Sequence, residues 1–193
     1  GRVYTAAVVW PQENDPDSVH PLMKDSKQFN RVKRKIMRDY VLDNAIDYCI
    51  SYMDNDVVDD VNILNATHQC MHKSLDGLNV PLTNILVDGN KFNPYISIDG
   101  DVGYTPHECI IKGDTKFYSI AAASILAKVA HDEYIVDVCK KYPELHERYD
   151  LLNNMGYGTE KHLDGIRKYG ITNWHRISFS PCSEHSDKMS KFD

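Results

Sequence analysis

Two carboxylates stand where their surroundings would let them do chemistry. Asp88 ends the apolar run Ile85-Leu86-Val87 and is followed by Gly89. It therefore falls at the C-terminal end of a buried strand, where α/β sheets present ligands and catalytic groups; the alternative is an ordinary Asp-Gly turn residue. Asp132 lies in a long helical run, where Ser124, Lys128 and Asp132 recur at i, i+4 and i+8 on one face. Its alternative is a solvated Lys128–Asp132 pair worth about 0.3–0.5 kcal/mol. Small residues at Ala121, Ala122, Ala123 and Ala127 let this helix lie close to a sheet, which would carry Asp132 toward the strand ends. Oxygen-only ligands suit Mg²⁺ or Mn²⁺, and paired divalent ions activate water for phosphodiester cleavage. Such a site draws on more than two carboxylates, and spacing locates only these two.

Tyr157 sits between Gly156 and Gly158. Flanking glycines let backbone approach a ligand closely, and an exposed tyrosine there can stack on a sugar or base; the alternative is a tyrosine covering the core beside a turn. His68 and His72 are spaced i, i+4, but Gln69 replaces the Glu of H-E-x-x-H and no third zinc ligand is evident, so both are expected to be exposed helix histidines. There is no P-loop, G-x-S-x-G or dinucleotide fingerprint.

The elements that must position these residues follow from the rest of the chain. At 193 residues, 42% hydrophobic and 26% charged, it suits one globular domain with a proper core. No apolar run approaches a bilayer span. A net charge of −6 argues against non-specific coating of nucleic acid, yet Lys24 to Arg38 holds seven basic residues and one acidic, a face able to hold phosphates or simply a solvated one. The five cysteines are scattered without C-x-x-C, which suits free thiols in a reducing compartment.

Val3 to Trp10 reads as a largely buried strand, an unusual place for a chain to begin. Asn30 caps a helix running to about Ala45, and DYCISYM alternates as a strand. The stretch DDVNILNATHQCMHKSLDGL carries apolar residues at helical spacing up to Gly77. TNILVDGN, PYISI and HECIIKG are strands, and the helix from Ser119 is stopped by Pro143. The pattern gives an α/β domain with a mixed sheet covered by helices, then a C-terminal helical segment. A domain over 1–180 and a disordered polar tail over 181–193 are expected.

Taken in order, these segments resemble ribonuclease HII, the type 2 ribonuclease H family. TAAVVW resembles its second strand, KDSKQF its D-S-K motif, VNILNAT its N-I-L-x-A-T helix and ILVDGN its metal-binding strand end. KGDTKFYSIAAASILAKVAHDEY resembles its long helix motif, and GYGTEKH and HRISFSP its closing motifs. The resemblance implies a ribonuclease H-like fold with a mixed central β-sheet flanked by helices. It implies endonucleolytic hydrolysis of the RNA strand of RNA–DNA hybrids, including incision 5′ of single ribonucleotides in duplex DNA, with Mn²⁺ or Mg²⁺. Asp88 would be a metal ligand and Asp132 the further active-site carboxylate. Tyr157 would stack on the sugar beside the ribonucleotide, and Ser26, Lys27, Lys112 and Arg176 would touch phosphates. A monomeric protein of the cytoplasm, or of the nucleus in a eukaryote, follows from the same likeness.

The chain departs from the family at several motif positions. His131 stands where Arg usually precedes the helix carboxylate, Asn154 and Met155 replace the His-Lys of H-K-G-Y-G-T, and Ser180 replaces the glycine of S-F-G-P. The family's D-E-x-G-R-G, with two metal ligands and a backbone that reads the 2′-hydroxyl, belongs about ten residues ahead of the strand that opens this chain. Residues 1–193 alone are accordingly expected to cleave little or not at all, and a non-catalytic, hybrid-binding or fragmentary relative is the alternative function.

Overall fold

The computed structural model describes residues 1–11, 30–97 and 103–190. Ser26 and Lys27 lie outside the described residues. The order of elements is β1 (Val3–Val9), α1 (Arg31–Asn44), β2 (Asp47–Met53), α2 (Asn55–Val61), α3 (Ile63–Asp76), β3 (Ile85–Asp88), β4 (Tyr95–Ile96), β5 (Tyr104–Thr105), β6 (His107–Ile110), α4 (Tyr118–Lys141), α5 (Glu144–Tyr149), α6 (Leu151–Asn154) and α7 (Glu160–Tyr169).

Local chemistry sets most of these boundaries. Asn30 accepts the Lys33 N–H at 2.9 Å and so starts α1, which buries Met37 and Val41. The single helix expected through Asn62 is two helices. Asn62 adopts φ 67°, ending α2, and its Oδ1 accepts the N–H groups of Leu64 and Asn65 at 3.0 and 3.1 Å, which opens α3. An asparagine side chain caps well, so one residue both ends a helix and starts the next.

The chain divides into two compact units. One comprises residues 4–52 and 67–129. In it β1 pairs with β2, β4 pairs antiparallel with β5, and β3 pairs parallel with β6 in the register Ile85–His107 to Asp88–Ile110. One core gathers Trp10, Met37 and Val41 against Ala121, Ala122, Ile125, Leu126 and Val129 of α4. The alanines keep that face of α4 thin enough for close packing. Thr5 of β1 shares a 2.8 Å hydrogen bond with Ser74 of α3, which fixes that strand over the helix. A cleft of about 580 Å³ is lined by β1, by β3 including Asp88, and by Ser119, Ala123, Ser124 and Ala127 of α4.

The other unit comprises residues 1–3, 53–66 and 130–193. Its core joins Ile135 and Cys139 of α4 to Leu145, Tyr149, Leu151, Met155, Ile166, Ile171 and Cys182. The expected boundary at 180 and disordered tail from 181 differ from this arrangement. Cys182 is 6% exposed within the core, and Ile171 pairs with Met189, its N–H reaching Lys188 O at 2.9 Å and its carbonyl accepting Ser190 N–H at 2.7 Å. Gly170, at φ +88°, makes this possible, since a Cβ there would fall 2.2 Å from the Lys188 carbonyl oxygen. Composition conceals such docking because backbone hydrogen bonds carry most of it. Among the described residues no helix is long and apolar enough to cross a membrane.

Candidate active site

In the unit holding residues 4–52 and 67–129, Asp88 is the exposed last residue of β3. The parallel ladder with β6 brings the following turn, Gly113–Thr115, against it, and Gly113 donates its N–H to Asp88 Oδ1 at 2.8 Å. Gly89 continues the ladder through its own N–H to Ile110 O at 3.0 Å. Asp88 is thus a strand-end carboxylate oriented by a backbone donor rather than a simple turn residue. Lys112 adopts φ 56° and heads the same turn, its carbonyl accepting from Thr115 N and Oγ1 at 3.1 and 2.9 Å, while its side chain is exposed. Asp114, which sequence reasoning did not single out, is a further carboxylate in this turn and only 2% exposed. Its K-G-D setting was the available signal.

In the unit holding residues 1–3, 53–66 and 130–193, Asp132 is 8% exposed on α4. His131 Nδ1 lies 3.2 Å from Asp132 Oδ1, and the His131 ring is tilted over the Tyr157 ring at 6.3 Å between centroids. His131 therefore connects the buried carboxylate to the exposed aromatic. The sequence marks it only as a departure from arginine; its position between two candidate site residues becomes visible once α4 and the 155–159 turn are packed.

Tyr157 is 61% exposed, which favours a contact residue over a core cover. The turn beneath it is tightly held. Met155 and Gly156 take φ 51° and 80°. Asn154 Oδ1 accepts the Gly156 N–H at 2.8 Å, and its amide donates to Tyr149 O at 2.7 Å. Asn154 is 7% exposed, so the residue that stands where the family has histidine builds the turn from beneath.

Arg176 is partly committed elsewhere. Its Nε donates to Gly1 O at 3.0 Å and Nη2 to Arg2 O at 3.4 Å, with the guanidinium 5.1 Å from the centre of the Phe179 ring. Burial lowers its pKa, with Asp59 opposing. Two of the five N–H donors of an arginine are used in these bonds, and the rest leave a phosphate contact open. His68 and His72 differ from expectation. His68 is 5% exposed and edge-on to Phe92, and His72 packs against Phe92 and Tyr95 while donating from Nε2 to Asn93 O at 3.0 Å. Their spacing serves an aromatic cluster under β3 and β4.

The donor kind at Asp88 and Asp132 fits a hard divalent cation, since both offer carboxylate oxygens. Among the described residues no group of three or more His, Cys, Asp or Glu side chains is close enough to hold a metal ion. Asp88 and Asp132 are therefore candidate ligands, each in its own unit.

The model of the ribonuclease HII family matches residues 1–182. Ribonuclease HII of Christiangramia forsetii is 41% identical over 179 residues, covering 93% of this chain and 83% of the relative. That of Phocaeicola vulgatus is 38% identical over 180 residues, covering 93% and 82%. The ribonuclease H2 from Pyrococcus horikoshii superposes with a TM-score of 0.70 at 18% identity, over 97% of this chain and 98% of the other. The ribonuclease HII of Archaeoglobus fulgidus, solved in complex with PCNA, gives 0.67 at 16% identity, over 93% and 87%. These two share the fold. The mixed α/β fold together with the family match defines the class as a divalent-metal-dependent nuclease. This chain belongs to the ribonuclease HII family, endonucleases that cut the RNA of RNA–DNA hybrids.

Proposed function

We propose that the protein incises duplex DNA on the 5′ side of single embedded ribonucleotides as well as RNA–DNA hybrids, with Mn²⁺ or Mg²⁺. The observation that carries this reading is His131 set between the Asp132 carboxylate and the exposed Tyr157 ring. A phosphodiester nuclease that singles out one nucleotide needs a carboxylate at the scissile phosphate and an aromatic platform for the neighbouring sugar, and α4 and the 155–159 turn supply one each. Asp88 would ligate the metal through a carboxylate whose orientation Gly113 fixes. When bound, the metal supplies an activated water and charge stabilisation at the leaving oxygen. Asp132 would be the second carboxylate of the reaction, and Tyr157 would stack on the sugar. Lys112, exposed at the head of its turn, and Arg176, through its remaining donors, would touch phosphates, as would Ser26 and Lys27 by their motif alone.

The cytoplasm is the proposed compartment, supported by five free cysteines, and a monomer is the proposed state. The second reading is a hybrid-binding relative without cleavage. The test is incision of a labelled duplex carrying one ribonucleotide, using the chain extended upstream of Gly1 by a D-E-x-G-R-G strand. Cleavage 5′ of the ribonucleotide that is lost in Asp88→Asn supports the nuclease reading. Binding without cleavage supports the second.

A further inference from the structure

We propose that His162 and His175 form a directional hydrogen-bond relay that fixes the backbone of Tyr157 and so aims its ring, making both histidines positioning residues for the substrate contact. The proposal rests on the reading of Tyr157 as the residue that meets the sugar.

The direction follows from the two ends of the relay. Thr172 N lies 3.0 Å from His175 Nδ1, and a backbone amide can only donate, so this nitrogen must be the acceptor. The Thr172 hydroxyl is 2.8 Å from the same atom. A neutral imidazole with a bare Nδ1 carries its proton on Nε2, which is 3.1 Å from His162 Nε2. Two N–H groups cannot face one another, so His162 accepts there and holds its proton on Nδ1. That nitrogen lies 3.1 Å from the Tyr157 carbonyl oxygen, which can only accept. Each proton position is thus set by a backbone group at one end or the other.

The surroundings keep the relay intact. His162 and His175 are 7% and 8% exposed, and the Tyr149 ring packs edge-on against both, at 6.1 and 5.0 Å. Burial holds both imidazoles neutral; His175 is lowered to about 3, with His162 adding to the effect, and His162 is lowered as well. A protonated ring would present two like donors at the 3.1 Å contact and break it. Asn154 secures the other side of the same turn through Gly156 and Tyr149. An aromatic ring that is 61% exposed is therefore carried on a buried, fully bonded mount. That arrangement lowers the ordering cost of stacking on a ligand. The relay also explains why GYGTEKH and HRISFSP, separate in sequence, each carry a histidine: those two side chains meet.

Long-range ¹H–¹⁵N spectra of the imidazoles test the direction. His162 is expected as the Nδ1–H tautomer and His175 as the Nε2–H tautomer; the opposite pair overturns the relay. Duplex affinity by fluorescence anisotropy, with a duplex carrying one ribonucleotide, tests the positioning. His162→Leu is expected to weaken binding about fivefold, the scale of one hydrogen bond, and to speed amide exchange at residues 156–159. His162→Asn, whose amide nitrogen replaces Nδ1, restores both to near wild type. Exchange and affinity unchanged in His162→Leu, or no rescue by His162→Asn, refute the positioning role. Tyr157→Ala separates the two readings. If it binds as wild type, the sugar contact is wrong and the aiming claim falls with it. If it binds weakly while His162→Leu does not, only the relay fails.

Discussion

Gly113 donates its backbone N–H to Asp88 Oδ1 at 2.8 Å, in a turn where a side chain at 113 would displace Ile120. A Cβ at position 113 would lie 2.6 Å from Ile120 Cδ1 and 3.3 Å from Ile110 Cβ. Gly113→Ala is expected to push the turn away from β3 and cost about 1–3 kcal/mol, the usual scale of overpacking. Urea unfolding would read the loss. A midpoint equal to that of wild type would mean that the turn is not under this constraint.

Asp88→Asn separates the role of this carboxylate in chemistry from any role in folding. Asparagine keeps an oxygen that can accept the Gly113 N–H, and the position is exposed, so stability should change by less than about 0.5 kcal/mol. Loss of the charged ligand should lower incision by orders of magnitude in the chain extended with the D-E-x-G-R-G strand. Near-normal turnover would remove Asp88 from the metal site.

His131→Arg bears on the departure from the family at that position. The side chain of His131 lies between Asp132 and Tyr157, so an arginine there would place a permanent cation beside the substrate. Duplex affinity is expected to rise severalfold at low salt, and the slope of log K against log salt to steepen by about 0.9, the signature of one added phosphate contact. An unchanged slope would mean that the new cation faces Asp132 alone.

The long helix α4, its alanine face, the cap at Asn30 and the strand end at Asp88 were all legible in the sequence, because periodicity and capping are local properties. What escaped was the chemistry of contacts between distant segments. The pairing of His162 with His175 and the use of His131 depend on which helices meet. His68 reads as an exposed helix residue until Phe92 covers it. Residues 181–190 look like a polar tail because their docking relies on backbone bonds to Ile171 and on the one apolar anchor Cys182. Deleting residues 181–193 should therefore lower the urea midpoint clearly, whereas a free tail could be removed without effect.

The two buried histidines also set a pH dependence for stability. Both have folded pKa values below the ordinary 6.5, His175 at about 3, chiefly because of burial; the His162 ring adds to the shift at His175, and the Gly1 α-amino group adds a smaller push on both. The Tyr157 carbonyl, which accepts from His162, opposes the shift there. Below pH 6.5 the unfolded chain binds protons at these positions while the folded chain does not, so unfolding gains stability relative to folding as pH falls. Each histidine contributes a slope of up to about 1.4 kcal/mol per pH unit. Their contribution is fully present above pH 6.5, declines progressively below it, and levels off once pH has passed below the folded values. Asp59 adds an acid-side loss of its own. Burial would raise its pKa, but the hydrogen bonds from Ser178 and Ile177 outweigh that and leave it lowered, so its stabilisation is lost only below its ordinary 3.8. Urea unfolding at pH 7.5, 6, 5 and 4.5 lies above the Asp59 window; the Gly1 α-amino group, lowered by burial from 8.0 to about 5, loses stability over the same range, so the histidine share is the difference between wild type and a variant without the two imidazoles. The expected result is a steady fall across the series that is clearly shallower in a His162→Asn, His175→Gln double variant, which keeps only the Gly1 share. A wild-type profile flat between pH 6.5 and 4.5 would show that the imidazoles take up protons in the folded state as readily as in the unfolded one.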